Sequence, residues 1–596
     1  MYSICRIAAV SPELHVADPF FNIQAMEKAY SNAVKNGASI VLFPAMAVTG
    51  KSCGVLFQQP YLLKSALEAA EKFASSTGKC AAVFGIPRLI NGKLLECAAI
   101  AQNGRIVAFT VNNAPSLPGF SGTVPDMENF YPAGQVFDGN LSFSVNFSGR
   151  NCADTGAQLE LFCLAEPEIP GLWQRRKDFA VSRSAENGCA VLLANAGCGE
   201  STGDQLYGGA LIAACNGRID AAHPSPSAVP GMIITDIDLE KIDYARMKNA
   251  GIMADTVKIS PLPEAPDFEY LYNPDHPFLP DTPEKLTEFC RESFALQTIG
   301  LYQRFQRCGA KKFVLGISGG LDSTLALVVL AMICKEYALS PETILAVTMP
   351  GFGTTGRTKN NALLLAETIG AEIREISIVP ACKQHFDDLA HDPAVTNSVY
   401  ENSQARERTQ ILMDLANKVN GIVIGTGDLS EIALGWSTFN GDQMAMYAIN
   451  SSIPKTNIAP MLHYAAGIIP GTAEILQDVI NTPVSPELLP LDENGEIAQK
   501  TELILGAYEL HDYYLYQLVN GVSEPEKLLA LAKDAFNGSY PDEELKRVRD
   551  LFLRRFFTQQ FKRTAAPDGI QAGITSLSAR TAWKMPADIN GALWRK

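Results

Sequence analysis

A short stretch near the middle of the chain combines glycines, hydroxyls and one carboxylate in a pattern that could bind phosphate. Residues 316–323 read Gly-Ile-Ser-Gly-Gly-Leu-Asp-Ser. The adjacent glycines let backbone N–H groups converge on an anion, and Ser318 and Ser323 add hydroxyl donors. Asp322 would repel a phosphate unless a divalent cation lay between them. The stretch, which we call the phosphate loop, therefore predicts a site for a magnesium nucleotide.

The residues on either side of the phosphate loop predict the elements that position it. An apolar run at residues 313–315 is typical of a buried strand, and a second apolar run, which begins near Thr324, is typical of a helix. The loop would then lie at the amino end of that helix, where the helix dipole also favours an anion. An ordinary strand, turn and helix without a ligand is the alternative interpretation.

The spacing of the phosphate loop separates two classes of nucleotide-binding protein. No Lys-Ser or Lys-Thr pair follows the glycines, so the loop is not a Walker-type P-loop. It resembles instead the phosphate loop of the ATP pyrophosphatases, Ser-Gly-Gly-x-Asp-Ser. Proteins with that loop adenylate an oxygen atom and release pyrophosphate, so the resemblance implies ATP as a substrate.

Two strands further along the chain are also predicted to end in polar loops. Residues 343–349 run into a glycine- and hydroxyl-rich loop that contains Arg357, and residues 421–424 run into a loop that contains Glu431. Ligand crevices of open α/β sheets lie at the carboxyl ends of the strands. We therefore expect both loops to lie near the nucleotide.

The segment at residues 434–442 offers an aromatic face next to polar groups. It contains Trp436 and Asn440 among glycines and hydroxyls. A lone tryptophan is more often part of a core than of a binding site. Its polar neighbours nevertheless favour a site for a stacked base.

Length and composition limit the class of protein. At 596 residues the chain is too long for one hydrophobic core, so two or three domains are expected. A net charge of −15 without a basic run argues against nucleic acid as an obligatory partner. The longest uncharged apolar run, residues 325–334, is too short to span a membrane, and we see no export signal. Thirteen cysteines without a Cys-x-x-Cys pair are typical of reduced thiols, so we expect a cytoplasmic protein.

Composition also predicts where the domains begin and end. Up to about residue 260, short β-branched runs alternate with helical patterns, as is typical of an α/β domain. Seven prolines then crowd residues 261–285. Each proline fixes φ and removes a backbone donor, so this segment is predicted to be an interdomain linker. The predicted domains are residues 1–260 and residues 286–596.

Taken together, these motifs resemble those of the glutamine-dependent NAD synthetases. The likeness extends as far as Trp594. It is dense at residues 318–323, 346–358, 400–417, 425–442, 450–456, 482–490 and 559–563. It implies an α/β protein with an N-terminal nitrilase-like α-β-β-α sandwich and a C-terminal Rossmann-like, parallel-sheet domain of the ATP-pyrophosphatase type. It also implies the amidation of deamido-NAD to NAD, with ATP and Mg²⁺, and the release of AMP and pyrophosphate.

The resemblance assigns roles residue by residue. Asp322 and Glu431 match the magnesium ligands of the family, and Lys455 matches a lysine that neutralises phosphate charge; these three are the implied catalytic residues. The implied ATP contacts are Gly316, Ile317, Ser318, Gly319, Gly320, Leu321, Asp322, Ser323, Arg357, Thr426 and Lys455. The implied deamido-NAD contacts are Asn402, Glu431, Trp436, Ser437, Thr438, Phe439 and Lys562. One position departs from the family, because Gly356 stands where an acid is usual.

The first half departs from the family at the positions that carry its glutaminase chemistry. That chemistry needs a Glu base, a Lys that stabilises the oxyanion and a Cys nucleophile. At the matching positions this chain has Ala45, Asn112 and Ser148. A shifted register would make Cys152 the nucleophile, but without the base and the lysine. We therefore predict a first domain that no longer hydrolyses glutamine and has a structural role.

Three hypotheses follow for the whole chain. The first is an NAD synthetase that uses free ammonia or ammonia from another protein, and the intact acids and Lys455 favour it. The second is a nucleotide-binding or regulatory protein without turnover. The third is an adenylating ligase for a different carboxylate, which rests on Gly356 alone. Because synthetase domains of the family pair, we also expect a homo-oligomer.

Overall fold

The computed structural model describes residues 4–115, 117–137, 141–148, 154–239, 242–243, 273–353, 356–482, 504–521 and 524–594. The chain divides into two compact units, Met1–Ser201 with Gln205–Ser260, and Thr202–Asp204 with Pro261–Lys596. Residues 261–272 of the predicted linker lie outside the described residues, as does Cys152. The first helix of the second unit begins at Pro283, inside the predicted linker, because Thr282 caps it and proline fits the first turn.

The first unit contains thirteen strands and three helices among its described residues. The strands are β1 Ile4–Ser11, β2 Ile40–Leu42, β3 Ala81–Ile90, β4 Lys93–Gln102, β5 Arg105–Val111, β6 Phe130–Pro132, β7 Val136–Phe137, β8 Phe143–Asn146, β9 Leu159–Leu164, β10 Ala190–Asn195, β11 Leu211–Cys215, β12 Arg218–His223 and β13 Gly231–Asp238. The helices are α1 Pro19–Lys35, α2 Pro60–Ser75 and α3 Leu172–Glu186, with a 3₁₀ segment at Lys51–Gln58.

Alternation of side chains along the strands gives the first unit its layers. One sheet has the order β13-β1-β2-β3-β4-β5-β6 and the other the order β12-β11-β10-β9-β8-β7. Phe84 of β3 packs with α1 and α2, whereas its neighbour Val83 packs with Leu161 of the second sheet. On the far side of the second sheet, Phe162 packs with α3. The unit is therefore an α-β-β-α sandwich.

The second unit contains five strands and twelve helices among its described residues. The strands are β14 Lys312–Gly316, β15 Ile344–Thr348, β16 Glu372–Glu375, β17 Gly421–Gly425 and β18 Tyr447–Ala448. The helices are α4 Pro283–Arg307, α5 Leu321–Glu336, α6 Gly356–Ile369, α7 Val379–Asp388, α8 Ser398–Val419, α9 Leu429–Leu434, α10 Lys455–Ala466, α11 Ala473–Ile480, α12 Tyr508–Val519, α13 Pro525–Phe536, α14 Asp542–Thr558 and α15 Gln560–Thr564.

The sheet of the second unit is parallel and has the order β16-β15-β14-β17-β18. β14 lies at its centre, with β15 on one side and β17 on the other. The strand order reverses between β14 and β17, and ligands of such sheets bind at this point, beyond the carboxyl ends of the strands. The loops that follow these two strands are the phosphate loop and the loop that leads to Glu431.

The C-terminal helices form an aromatic-rich core that also anchors α9. Tyr514 of α12 and Phe552 of α14 are fully buried in this core. Leu429 and Leu434 of α9 pack into it as well. The short helix that carries Glu431 is therefore held by the C-terminal helices as well as by the loop after β17.

The predicted α/β architecture is confirmed, with the sandwich in the first unit and the parallel sheet in the second. Among the described residues, no helix combines the length and the apolar character that are needed to cross a membrane.

Candidate functional site

The phosphate loop joins β14 to α5 with its backbone already turned. Gly319 has φ +84°, and a Cβ at this residue would lie 1.9 Å from the carbonyl oxygen of Thr358, so only glycine fits. The Gly320 N–H donates to Ser318 Oγ at 3.2 Å. The hydroxyl of Ser323 donates to the carbonyl of Gly320 at 3.2 Å. These bonds hold the loop in shape around the amino end of α5.

Four charged side chains meet beside the phosphate loop. Asp322 lies in the first turn of α5, Asp428 caps α9, Glu431 lies on α9 and Lys455 begins α10. Lys455 Nζ lies 2.8 Å from Asp322 Oδ2, 2.6 Å from Asp428 Oδ2 and 3.1 Å from Glu431 Oε1. We call this group the acid–lysine cluster.

Burial and mutual repulsion shift the pKa values in the acid–lysine cluster. Burial raises the pKa of Glu431 to about 7, although the Lys455 ammonium opposes the rise. Burial also raises the pKa of Asp428 against the same ammonium. For Lys455, burial favours the neutral amine, but the surrounding carboxylates outweigh it and hold its pKa well above the usual value. The ammonium therefore holds three acids together that would otherwise repel one another.

The acids of the cluster form a donor set that suits Mg²⁺. Carboxylate oxygens of Asp322, Asp428 and Glu431 all lie within 4.8 Å of one another. They are hard oxygen ligands, and three carboxylates against one ammonium leave an excess of negative charge. These residues fit a magnesium ion.

Asp428 belongs to this cluster, although no role was predicted for it. Its Oδ1 accepts a hydrogen bond from the Glu431 N–H at 2.9 Å, so it caps the helix that carries Glu431. An acid three positions before a glutamate at a predicted helix start is a capping pattern. That pattern in Asp-Leu-Ser-Glu was the signal that could have placed Asp428 beside Glu431.

A cleft next to the cluster brings together part of the predicted substrate site. Its lining includes the predicted contacts Thr426, Glu431, Ser437 and Lys562. Lys562 Nζ donates to the carbonyls of Gly435 and Ser437, both at 2.7 Å. Asp442, for which no role was predicted, also lines the cleft, and burial raises its pKa. The cleft therefore combines a cation with carbonyl and carboxyl oxygens.

Other predicted substrate contacts are engaged with the protein itself. Asn402 Oδ1 accepts a hydrogen bond from Thr438 Oγ1 at 2.8 Å. The Trp436 ring lies 4.9 Å from the Arg555 guanidinium and packs against the C-terminal core. Phe439 is 41% exposed. Stacking of a base on Trp436 stays a prediction, as do the roles of the other three residues.

Arg357 lies at the start of α6. Its guanidinium is exposed and pairs with Asp478 of α11, with Nε 3.1 Å from Oδ2. The next residue, Thr358, approaches Gly319 of the phosphate loop. Contact between Arg357 and ATP stays a prediction.

The positions expected to carry glutaminase chemistry lie in the first unit. Ala45 is buried between the two sheets, and its N–H donates to the carbonyl of Leu164 at 3.1 Å. Asn112 is also buried and follows β5. Ser148 follows β8 and is partly exposed. Neither alanine nor asparagine can act as a base or carry an oxyanion-stabilising charge at these places.

A buried ion pair lies next to Asn112. Lys51 Nζ donates to Glu96 Oε1 at 2.8 Å, and Asn112 Nδ2 donates to Glu96 Oε2 at 2.9 Å. Glu200 accepts hydrogen bonds from the backbone N–H groups of Lys51 and Ser52, and burial raises its pKa. A lysine is therefore present in this region, but its ammonium is bound to Glu96. No sequence motif pointed to this pair.

Comparisons with known proteins support the resemblance that the motifs indicated. The family model for NAD synthase matches residues 295–565, which makes the second unit an NAD synthase domain. The glutamine-dependent NAD(+) synthetase of Mycobacterium tuberculosis (strain ATCC 25618 / H37Rv) is 28% identical over 672 residues, covering 100% of this chain and 97% of that protein. The chain is therefore similar over its whole length to the glutamine-dependent NAD(+) synthetases, and these comparisons support the family resemblance that the motifs indicated.

Two solved structures share the fold over both units. The glutamine-dependent NAD(+) synthetase from Cytophaga hutchinsonii has a TM-score of 0.78 at 18% identity, covering 99% of this chain and 98% of that one. The enzyme from Acinetobacter baumannii in complex with ADP has a TM-score of 0.62 at 20% identity, covering 93% and 94%. At these identities the likeness supports the fold.

The acid–lysine cluster predicts a stability that depends on Lys455. In Lys455→Met the three carboxylates lose the buried cation, which should lower the free energy of unfolding by about 3–5 kcal/mol. We expect calorimetry without Mg²⁺ to show a lower Tm, and added Mg²⁺ to raise the Tm of this variant more than that of the wild type. Lys418→Met, which changes an exposed lysine of α8, is the control. Equal effects of Mg²⁺ on all three proteins would contradict the account.

The buried pair in the first unit predicts a structural effect of Lys51. In Lys51→Met the Glu96 carboxylate stays buried without its cation, at a cost of about 3–5 kcal/mol. The double variant Lys51→Met/Glu96→Gln removes the unpaired charge and should recover part of the loss in urea unfolding. If both variants are equally unstable, the pair does not act through charge compensation.

Proposed function

We propose that this chain forms NAD from deamido-NAD by an amidation that depends on ATP and Mg²⁺, and that its ammonia comes from solution or from another protein. The acid–lysine cluster beside the phosphate loop, in a chain of the NAD synthetase family, carries the proposal. The source of ammonia is where this chain is proposed to differ from its relatives, which are named as glutamine-dependent.

The reaction needs activation, because a carboxylate is a poor acyl donor. An oxygen of the deamido-NAD carboxylate bonds to the α-phosphorus of ATP, and the bond from that phosphorus to pyrophosphate breaks. Ammonia then bonds to the acyl carbon, the bond to the AMP oxygen breaks, and the nitrogen loses a proton. The products are NAD, AMP and pyrophosphate. Positioning two anionic nucleotides requires neutralising charge and oriented donors.

The residues at the switch point of the parallel sheet suit these needs. Amide groups of the phosphate loop and the hydroxyls of Ser318 and Ser323 would bind phosphate oxygens. The acids of the acid–lysine cluster would hold Mg²⁺, which when bound neutralises phosphate charge and polarises phosphoryl oxygens. Lys455 brings a positive charge to the same place, and Lys562 brings one to the adjoining cleft.

The proposed use of external ammonia is supported by the first unit. Ala45 has no carboxylate to take a thiol proton, and Asn112 has no charge to stabilise an oxyanion. Such groups are each normally worth orders of magnitude in rate. The nearby Lys51 ammonium is paired with Glu96 and buried. We propose that the first unit has a structural role and, as the family resemblance implied, that the chain forms a homo-oligomer.

A single assay tests the proposed function. Purified protein receives ATP, Mg²⁺ and deamido-NAD, with either ammonium or glutamine, and NAD, AMP and pyrophosphate are measured. We expect equal amounts of the three products with ammonium and no NAD with glutamine alone. Asp322→Asn is the matched control, since it should abolish turnover with ammonium by removing a cluster acid.

Each other outcome points to a different account. NAD from glutamine in the absence of ammonium contradicts an inactive glutaminase, and Cys152→Ser then shows whether that cysteine is the nucleophile. AMP formation only with another carboxylate contradicts deamido-NAD as the substrate. Binding of ATP without AMP formation under any condition favours a nucleotide-binding protein.

A further inference from the structure

A buried carboxylate on α12 connects the two helices that carry the acid–lysine cluster. Asp512 is 2% exposed. Its Oδ1 accepts a hydrogen bond from the Ser430 hydroxyl, and its Oδ2 accepts one from Thr456 Oγ1 at 2.8 Å. Ser430 directly precedes Glu431 on α9, and Thr456 directly follows Lys455 on α10. The Asp512 side chain therefore binds both Ser430, the residue before Glu431, and Thr456, the residue after Lys455.

The same contacts complete the amino end of α10. Its N-cap residue, Pro454, contributes no side-chain hydrogen bond. The Lys455 N–H donates to Ser430 Oγ at 2.8 Å, and the Thr456 N–H donates to Asp512 Oδ2 at 3.1 Å. The first N–H groups of a helix have no partner within it, and the dipole favours a carboxylate there. Because α9 and α12 provide these caps, the place of α10 depends on them.

The contacts of Asp512 restrict the orientation of α9 relative to α10. The Leu429 N–H at the start of α9 already donates to the Ile453 carbonyl just before α10 at 2.9 Å. The Lys455 N–H also donates to Ser430 Oγ. These bonds link α9 and α10 only to each other, whereas Asp512 ties both helices to α12 and so restricts their rotation further. The cluster acids need such restriction, because one cation must reach all of them.

A second residue of α12 contacts the cluster lysine directly. The ring of Tyr508, one turn before Asp512, has its centroid 5.3 Å from Lys455 Nζ. At this distance the ring face attracts an ammonium. α12 therefore contacts Lys455 through Tyr508 and the residue after Lys455 through Asp512.

We propose that Asp512 is a positioning residue for the magnesium nucleotide, because it holds Glu431 and Lys455 in the relation that metal binding requires. The part of this inference that concerns turnover rests on the proposed function. The part that concerns metal binding rests on the geometry of α9, α10 and α12. A carboxylate with a merely structural role would contribute to stability without affecting metal affinity.

The test compares variants of the full-length chain. Asp512→Ala removes the carboxylate, and Asp512→Asn keeps an acceptor for Thr456 and a polar partner for Ser430. Thr456→Val removes one donor to Asp512 and keeps the backbone cap. The matched control is Tyr514→Phe, because Tyr514 lies on the same helix and its buried hydroxyl donates to the Leu545 carbonyl at 2.9 Å. Mn²⁺ binding with a non-hydrolysable ATP analogue is measured by electron paramagnetic resonance, together with Tm, kcat and the KM for ATP.

We expect Asp512→Ala to weaken Mn²⁺ binding about 10–100-fold, as is usual when a residue that orients metal ligands is lost. Asp512→Asn should recover most of the affinity, and Thr456→Val should lose less than Asp512→Ala. Tyr514→Phe should lower the Tm and keep wild-type Mn²⁺ affinity and kcat.

Wild-type Mn²⁺ affinity in both Asp512→Ala and Thr456→Val would overturn the inference. If Asp512→Ala does not fold, the Mn²⁺ affinity of Thr456→Val alone decides. Mn²⁺ binding without NAD formation by the wild type would contradict the proposed function and leave the Mn²⁺ comparison to decide the role of Asp512.

Discussion

The Lys455 ammonium and the three carboxylates around it are the interaction on which the second unit depends. Like charges repel, and the Lys455 ammonium offsets the repulsion among Asp322, Asp428 and Glu431. The fold brings them together because α5 and α9 begin on either side of the strand reversal in the parallel sheet. The phosphate loop runs into α5, the helix that carries Asp322 in its first turn. The phosphate donors and the acids therefore lie at the same edge of the sheet.

In the first unit a buried carboxylate is also paired with an ammonium, but that pair contains one acid for one ammonium. Lys51 and Glu96 pair in the interior, and Asn112 binds the remaining oxygen of that carboxylate. Both oxygens of Glu96 are therefore engaged by the protein itself. In the second unit three acids face one ammonium, which leaves negative charge that a metal ion could neutralise. This contrast is the physical basis for proposing a structural role for one unit and catalysis for the other.

Local patterns predicted much of this fold, and contacts between distant residues account for what was missed. The phosphate loop was predictable because strand, glycine turn and helix follow one another directly, and Asp428 left a local capping signal beside Glu431. Asp512 and Ser430 are 82 positions apart, and Lys51 and Glu96 are 45 apart. Residue type alone does not show which helix or strand end will lie beside another. Trp436 is a further example of contacts that the local motif did not indicate. Its ring lies near Arg555 and packs against the C-terminal core, both of which are distant from it in the sequence.

The most direct test of the central claim is exchange of labelled pyrophosphate into ATP without ammonium or glutamine. Formation of an adenylate is reversible, so the wild type should incorporate label only when both deamido-NAD and Mg²⁺ are present. Asp428→Asn should lose the exchange, because it removes a charge from the acid–lysine cluster. Exchange that persists without deamido-NAD, or its absence from the wild type with all components present, would contradict adenylation of deamido-NAD at this site.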